Sequence, residues 1–108
     1  MTINSKRKGK VGEAEVAKIL RSHGYDEARR SQQYCGSADS ADVVGLPGYH
    51  IEVKRAERME LYKWYAQAVR DSSGSEDIPI VVHRKNNADW LVSMSFEDFL
   101  RIVKDTTS

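Results

Sequence analysis

The chain of 108 residues predicts an α/β fold of the α+β kind, one central mixed β-sheet flanked by helices. Three observations carry that expectation. Apolar residues recur at helical spacing near both ends and in the middle of the chain. Short apolar runs of strand length lie between those stretches. Two of the runs, Val43-Val44 and Tyr49-His50-Ile51, flank a Leu46-Pro47-Gly48 turn. The order helix, strand, hairpin, helix, strand, strand, helix fits one sheet with helices packed on it.

Residues 1–10 read as a flexible basic arm ahead of a single domain spanning 1–108. From Val11 to His23 the pattern is helical, and Gly24 stops it. Glu13, Val16, Ala17 and Leu20 share its apolar face, which directs Glu13 towards whatever the helix packs on and leaves Glu15 solvated. A strand is expected between Tyr25 and Tyr34, followed by a small, polar loop from Cys35 to Ala41. That loop leads directly to Asp42.

Proline suits the first central position of a tight turn, and glycine the position needing positive φ, so Ala41 to Arg55 reads as a β-hairpin. Glu57 to Asp71 is the second helix, with Met59, Tyr62, Ala66 and Val69 as its apolar stripe, broadened by Leu61 and Tyr65. Trp64 and Gln67 fall off that stripe and are the candidates for ligand contact. Ile78 to Val82 is a continuous apolar run expected of a buried strand, with Pro79 confined to its beginning. Asn86-Asn87 marks a turn, and Asp89 to Met94 a further strand. Ser95 caps a last helix through Val103, with Asp98 at the reciprocal capping position and Phe96, Phe99, Leu100 and Val103 on its buried face.

Composition excludes several classes. The apolar share of 40% is that of an ordinary globular domain. No run has the length of a membrane span, and the start lacks the apolar core of a secretory signal. A lone cysteine, Cys35, cannot form an internal disulfide, so a reducing, cytoplasmic setting is expected. His23, His50 and His83 are scattered, which argues against a structural zinc site. The net charge of +1 hides an asymmetry: residues 1–30 carry eight basic groups against four acidic, and the remainder nine against twelve. A basic amino-terminal end suits a phosphate-bearing partner, or else simply solubilises the chain.

The hairpin carries the chemistry. Asp42 opens its first strand, and Glu52 and Lys54 close its second. Burying two carboxylates and an ammonium together is costly unless a cation and a phosphate offset them. Mg²⁺ takes oxygen ligands, usually one or two carboxylates plus phosphate and water. Lys54, two residues beyond Glu52, shares its strand face. It is placed to orient or help deprotonate a water, or to offset charge on a phosphate. Glu13 is placed to bind a second metal or a metal-bound water.

This reading sets a geometric condition. A two-residue loop at Pro47-Gly48 pairs Asp42 with Val53 and puts Asp42 on the face away from Glu52 and Lys54. One additional residue brings all three to one face, since a single-residue slip flips every side chain. A wider loop or a bulge between Val44 and His50 is therefore predicted.

On these residues the chain resembles the PD-(D/E)XK nuclease superfamily, and most of all the Holliday-junction resolvases of archaea and some phages. The motifs are Gly9 with Glu13, Leu20 and Gly24-Tyr25, Asp42-Val43-Val44, and Ile51-Glu52-Val53-Lys54. The resemblance implies a restriction-endonuclease-like core. It implies Glu13, Asp42 and Glu52 as metal-binding acids, Lys54 as catalytic lysine and the Val53 carbonyl as a further ligand. It also implies a serine of the preceding loop near the phosphate, a role open to both Ser37 and Ser40. Ala41 departs from the proline often found before the aspartate.

The implied activity is a Mg²⁺-dependent DNA endonuclease, with Mn²⁺ able to substitute, that cuts branched DNA in recombination or repair. It would act as a homodimer, in the host cytoplasm if phage-encoded, with no membrane and no nucleotide cofactor. Lys6, Arg7, Lys8, Lys10, Arg29, Arg30 and Arg55 are the expected backbone contacts. Cutting of flaps, ends or specific duplex sites, and a non-catalytic binding subunit on the same fold, are the alternatives.

Overall fold

The computed structural model describes residues 5–31 and 41–107. Its elements are α1 (Ser5–Ser22), β1 (Arg29–Arg30), β2 (Val43–Val44), β3 (Tyr49–Arg55), α2 (Leu61–Ser72), β4 (Ile78–Arg84), β5 (Leu91–Ser93) and α3 (Phe96–Thr107). Five strands form one sheet in the order β1-β2-β3-β4-β5. β3 and β4 run parallel and the other pairs antiparallel, so the sheet is mixed as expected. A parallel pair requires a crossover, and α2 supplies it.

The strand alternation of β3 assigns its two faces. Ile51 and Val53 join Val16 and Ala17 of α1, Val43, Ile80 and Val82 in the larger apolar core. His50, Glu52 and Lys54 face the other way, towards α2. On that second face Trp64, Ala68 and Val81 form a smaller cluster. β4 follows the same rule, with Ile80 and Val82 under α1 and Val81 on the α2 side. Pro79 stands second in β4, where the sheet tolerates its missing N–H.

Three expectations need correction. α1 begins at Ser5, so the segment read as an arm is helical from that residue, two turns before Val11. α2 is rotated relative to the predicted stripe: Trp64, Ala68 and Ser72 are buried, whereas Tyr62 is 92% exposed and Met59 and Val69 are exposed. Its apolar and polar positions are mixed all round, so tertiary packing rather than periodicity chose the face. Ser95 does cap α3, its Oγ accepting from the Asp98 N–H at 3.0 Å, yet none of the helix residues is buried. Phe96, Phe99, Leu100 and Val103, expected in the core, are all exposed. Asp98 bonds Arg101 at 2.8 Å instead of completing a reciprocal cap.

Candidate active site

The hairpin register is the first determinant of the site. Val43 pairs with Ile51, so Asp42 stands opposite Glu52 and on its face. Leu46 to Tyr49 forms a tight turn, with the Tyr49 N–H on the Leu46 carbonyl at 3.3 Å and Gly48 at φ +86°. That turn alone would pair Asp42 with Val53. Gly45 is the additional residue that shifts the register, and its φ is +105°. A Cβ there would lie 2.6 Å from the Ala28 nitrogen, so only glycine fits both the conformation and the space. The predicted bulge is present.

Asp42 is held by backbone on both sides. Its N–H donates to the Ile51 carbonyl at 2.9 Å, and its Oδ2 accepts from the Val53 N–H at 2.8 Å. Val53 thus directs its backbone polar groups towards β2, where Asp42 sits. Asp42 also links the two glutamates electrostatically, since its charge raises the pKa of both Glu13 and Glu52.

Glu52 is only 1% exposed. Its carboxyl is raised to about 7, by burial first, against the pull of the His50 hydrogen bond and with Asp42 and Asp71 adding to the rise. His50 Nε2 lies 3.2 Å from Glu52 Oε1, and that hydrogen bond raises the imidazole pKa against its own burial. Asp71 of α2 completes a cluster in which ligand atoms of His50, Glu52 and Asp71 all lie within 4.8 Å of one another. Lys54 Nζ donates to Gln67 Oε1 at 3.1 Å.

Two rows therefore face each other across β3 and α2. Glu52 and Lys54 are about 6.6 Å apart along a strand, and Gln67 and Asp71 about 6 Å apart along a helix, so the rows match in pitch. Of the two ligand-contact candidates, Gln67 bonds Lys54, whereas Trp64 is buried near His83 at a ring distance of 6.3 Å. His50 and Asp71 were missed as site residues. The signal was available in the i, i+2 spacing of His50 and Glu52 and the i, i+4 spacing of Gln67 and Asp71.

Glu13 stands apart from that cluster. It accepts from Arg30 Nε at 3.2 Å, and its pKa is raised by burial first and by Asp42 second, against the pull of Arg30 and Lys10. Glu15, expected to be solvated, instead receives Arg55 at 3.4 Å, Arg84 at 3.3 Å and the Trp90 indole N–H at 3.4 Å. Arg84 also stacks over Trp90. Arg55 lies on the α1 face of β3, away from Lys54, and Glu15 and Asn86 engage its guanidinium. Lys10, Arg29 and Arg30 are exposed on α1 and β1. Ser37 and Ser40 lie outside the described residues, as do the side chains of Lys6, Arg7 and Lys8.

The donor set fits a divalent cation. A buried carboxylate flanked by two others and one imidazole is stabilised by a bound cation, and hard divalent ions take carboxylate oxygens. A mixed sheet that places an aspartate opposite a Glu-x-Lys strand defines a restriction-endonuclease-like nuclease core. The chain belongs to the family described as "Phage putative PDDEXK endonuclease", whose model matches residues 4–108. PDDEXK nucleases use divalent metals, and the carboxylate and imidazole cluster supplies ligands for one. Searches among curated proteins and among solved structures returned no match. Among the described residues no helix is long and apolar enough to cross a membrane.

Proposed function

We propose that this nuclease hydrolyses DNA phosphodiesters with Mg²⁺ at the Asp42–Glu52 centre, and that its substrate is a four-way junction bound by a homodimer. The observation carrying the reading is the Gly45 bulge, which sets Asp42 opposite Glu52. A bound divalent ion supplies charge neutralisation and polarises the phosphoryl oxygen. Asp42, Glu52 and the Val53 carbonyl are its proposed ligands, with Glu13 holding a metal-bound water or a second ion at the edge of the site. Lys54, steadied by Gln67, donates to the attacking water or to a phosphate oxygen as negative charge develops. Lys6, Arg7, Lys8, Lys10, Arg29 and Arg30 supply backbone contacts, with Ser37 or Ser40 near the scissile phosphate.

Junction selectivity rests on the resemblance to resolvases, and the homodimer on the same resemblance together with general preference for two-fold symmetry. The exposed Phe96, Phe99, Leu100 and Val103 of α3 are compatible with such a partner. The test is cleavage of a synthetic four-way junction, a linear duplex and a flap with Mg²⁺, alongside Lys54→Ala. Junction cutting by the wild type and none by the variant is expected. Equal cutting of all three substrates would remove the resolvase assignment; binding without cutting would favour a binding subunit.

A further inference from the structure

The hydrolysis proposed at the Asp42–Glu52 centre uses neither His50 nor Asp71, although both lie against Glu52. We infer that His50, Glu52 and Asp71 form a second divalent-cation subsite, which shares Glu52 with the Asp42 centre and prefers Mn²⁺ or a similar transition ion to Mg²⁺. The inference rests on Glu52 being a metal ligand.

Geometry supplies the first argument. Two adjacent ligands of one ion at bond lengths of 2.0–2.2 Å stand about 3.0–3.4 Å apart. His50 Nε2 and Glu52 Oε1 are 3.2 Å apart, and a carboxylate oxygen of Asp71, from a different element, lies within 4.8 Å of the other two ligand atoms. A third ligand group aimed at a buried pair, and itself anionic, raises the cost of the arrangement unless a cation joins it.

Charge placement supplies the second: Asp42 and Asp71 approach Glu52 from β2 and α2, and three carboxylates around one buried position favour more than one cation. Glu13, ion-paired with Arg30, stands apart from this cluster. Ligand chemistry then sets the preference: Mg²⁺ is bound through oxygen, whereas imidazole suits first-row transition ions.

The test uses the metal-stripped full chain and Mn²⁺. Calorimetric titration is expected to give two ions per chain in the wild type and one in His50→Gln. Pulsed EPR of the Mn²⁺-loaded wild type is expected to show coupling to an imidazole ¹⁴N, which persists in Asp42→Asn and disappears in His50→Gln. Asp71→Asn, a half-buried and near-isosteric change, keeps a folded chain and is expected to weaken the second ion about tenfold or more. A wild-type spectrum without nitrogen coupling, or Mn²⁺ binding unchanged in Asp71→Asn, would overturn the subsite. DNA cutting without nitrogen coupling would remove the subsite and leave the nuclease reading. Nitrogen coupling with no cutting in Mg²⁺ or Mn²⁺ would do the reverse.

Discussion

The two faces of β3 are buried almost equally and for opposite reasons. Under α1, Ile51 and Val53 are 1% and 6% exposed and pack among Val16, Ala17, Val43, Ile80 and Val82. Under α2, Glu52 is as buried as Ile51, yet its neighbours are His50, Asp42 and Asp71. Apolar burial on the first face favours folding, since each fully buried aliphatic side chain contributes about 1.5–3 kcal/mol. Carboxylate burial on the second opposes it in the absence of a counter-ion. One strand thus stores stability on one side and a demand for cations on the other.

The contrast is broken most strongly by exchanging what each face provides. Glu52→Gln removes the shared ligand while keeping the shape. It is expected to lower cleavage by about a thousandfold or more, since metal-assisted charge stabilisation is worth several kcal/mol. The same variant is expected to melt higher than the wild type at pH 8 without metal, because a buried charge is gone. Calorimetry and a nicking assay on one preparation check both. Ile51→Ala is its mirror image, expected to cost about 2–5 kcal/mol in denaturant unfolding with divalent-ion binding retained below the transition. A Glu52→Gln chain that cuts normally would contradict the division.

Gly45→Ala tests the link between the faces. A left-handed conformation costs a non-glycine residue about 1–2 kcal/mol, and the Cβ meets the Ala28 backbone besides. Loss of both stability and cleavage is expected. Hydrogen exchange should show weakened protection of the Val53 amide, whose acceptor is Asp42.

How much of this was legible follows the same division. The hairpin and its required bulge could be read because Pro47-Gly48 fixes a turn and only one register brings Asp42 to Glu52. The β3–α2–β4 crossover was readable from element order. The faces of α2 and α3 were not: Tyr62 and Phe96 carry the periodicity of core residues and lie in solvent, since helix pattern reports an apolar stripe without naming what covers it. Glu15 was misplaced for a related reason. Arg84 and Trp90, far along the chain, come to it only in three dimensions. Asp71 shared that fate, being one more acid at a helix end until the fold set it against His50.

A smaller effect sharpens the electrostatic side. Glu52 titrates at about 7 when folded against an ordinary 4.5, so its protonation favours the folded state. That contribution is complete below pH 4.5 and is lost as pH rises through 7. His50, also raised, adds in the same direction; His83, lowered by burial, opposes it. The metal-free protein is therefore expected to lose stability between pH 5 and 8 relative to Glu52→Gln, and the difference between the two isolates Glu52. Divalent ions are expected to stabilise the wild type more at pH 8 than at pH 5.5, because binding needs the carboxylate.

The most direct test of the central claim is anomalous diffraction from crystals soaked in Mn²⁺. An ion within about 2.0–2.2 Å of both Asp42 and Glu52 oxygens, on the α2 side of β3, is the predicted result. Ions found only among Glu13, Glu15 and the arginines, with Asp42 and Glu52 bare, would contradict it.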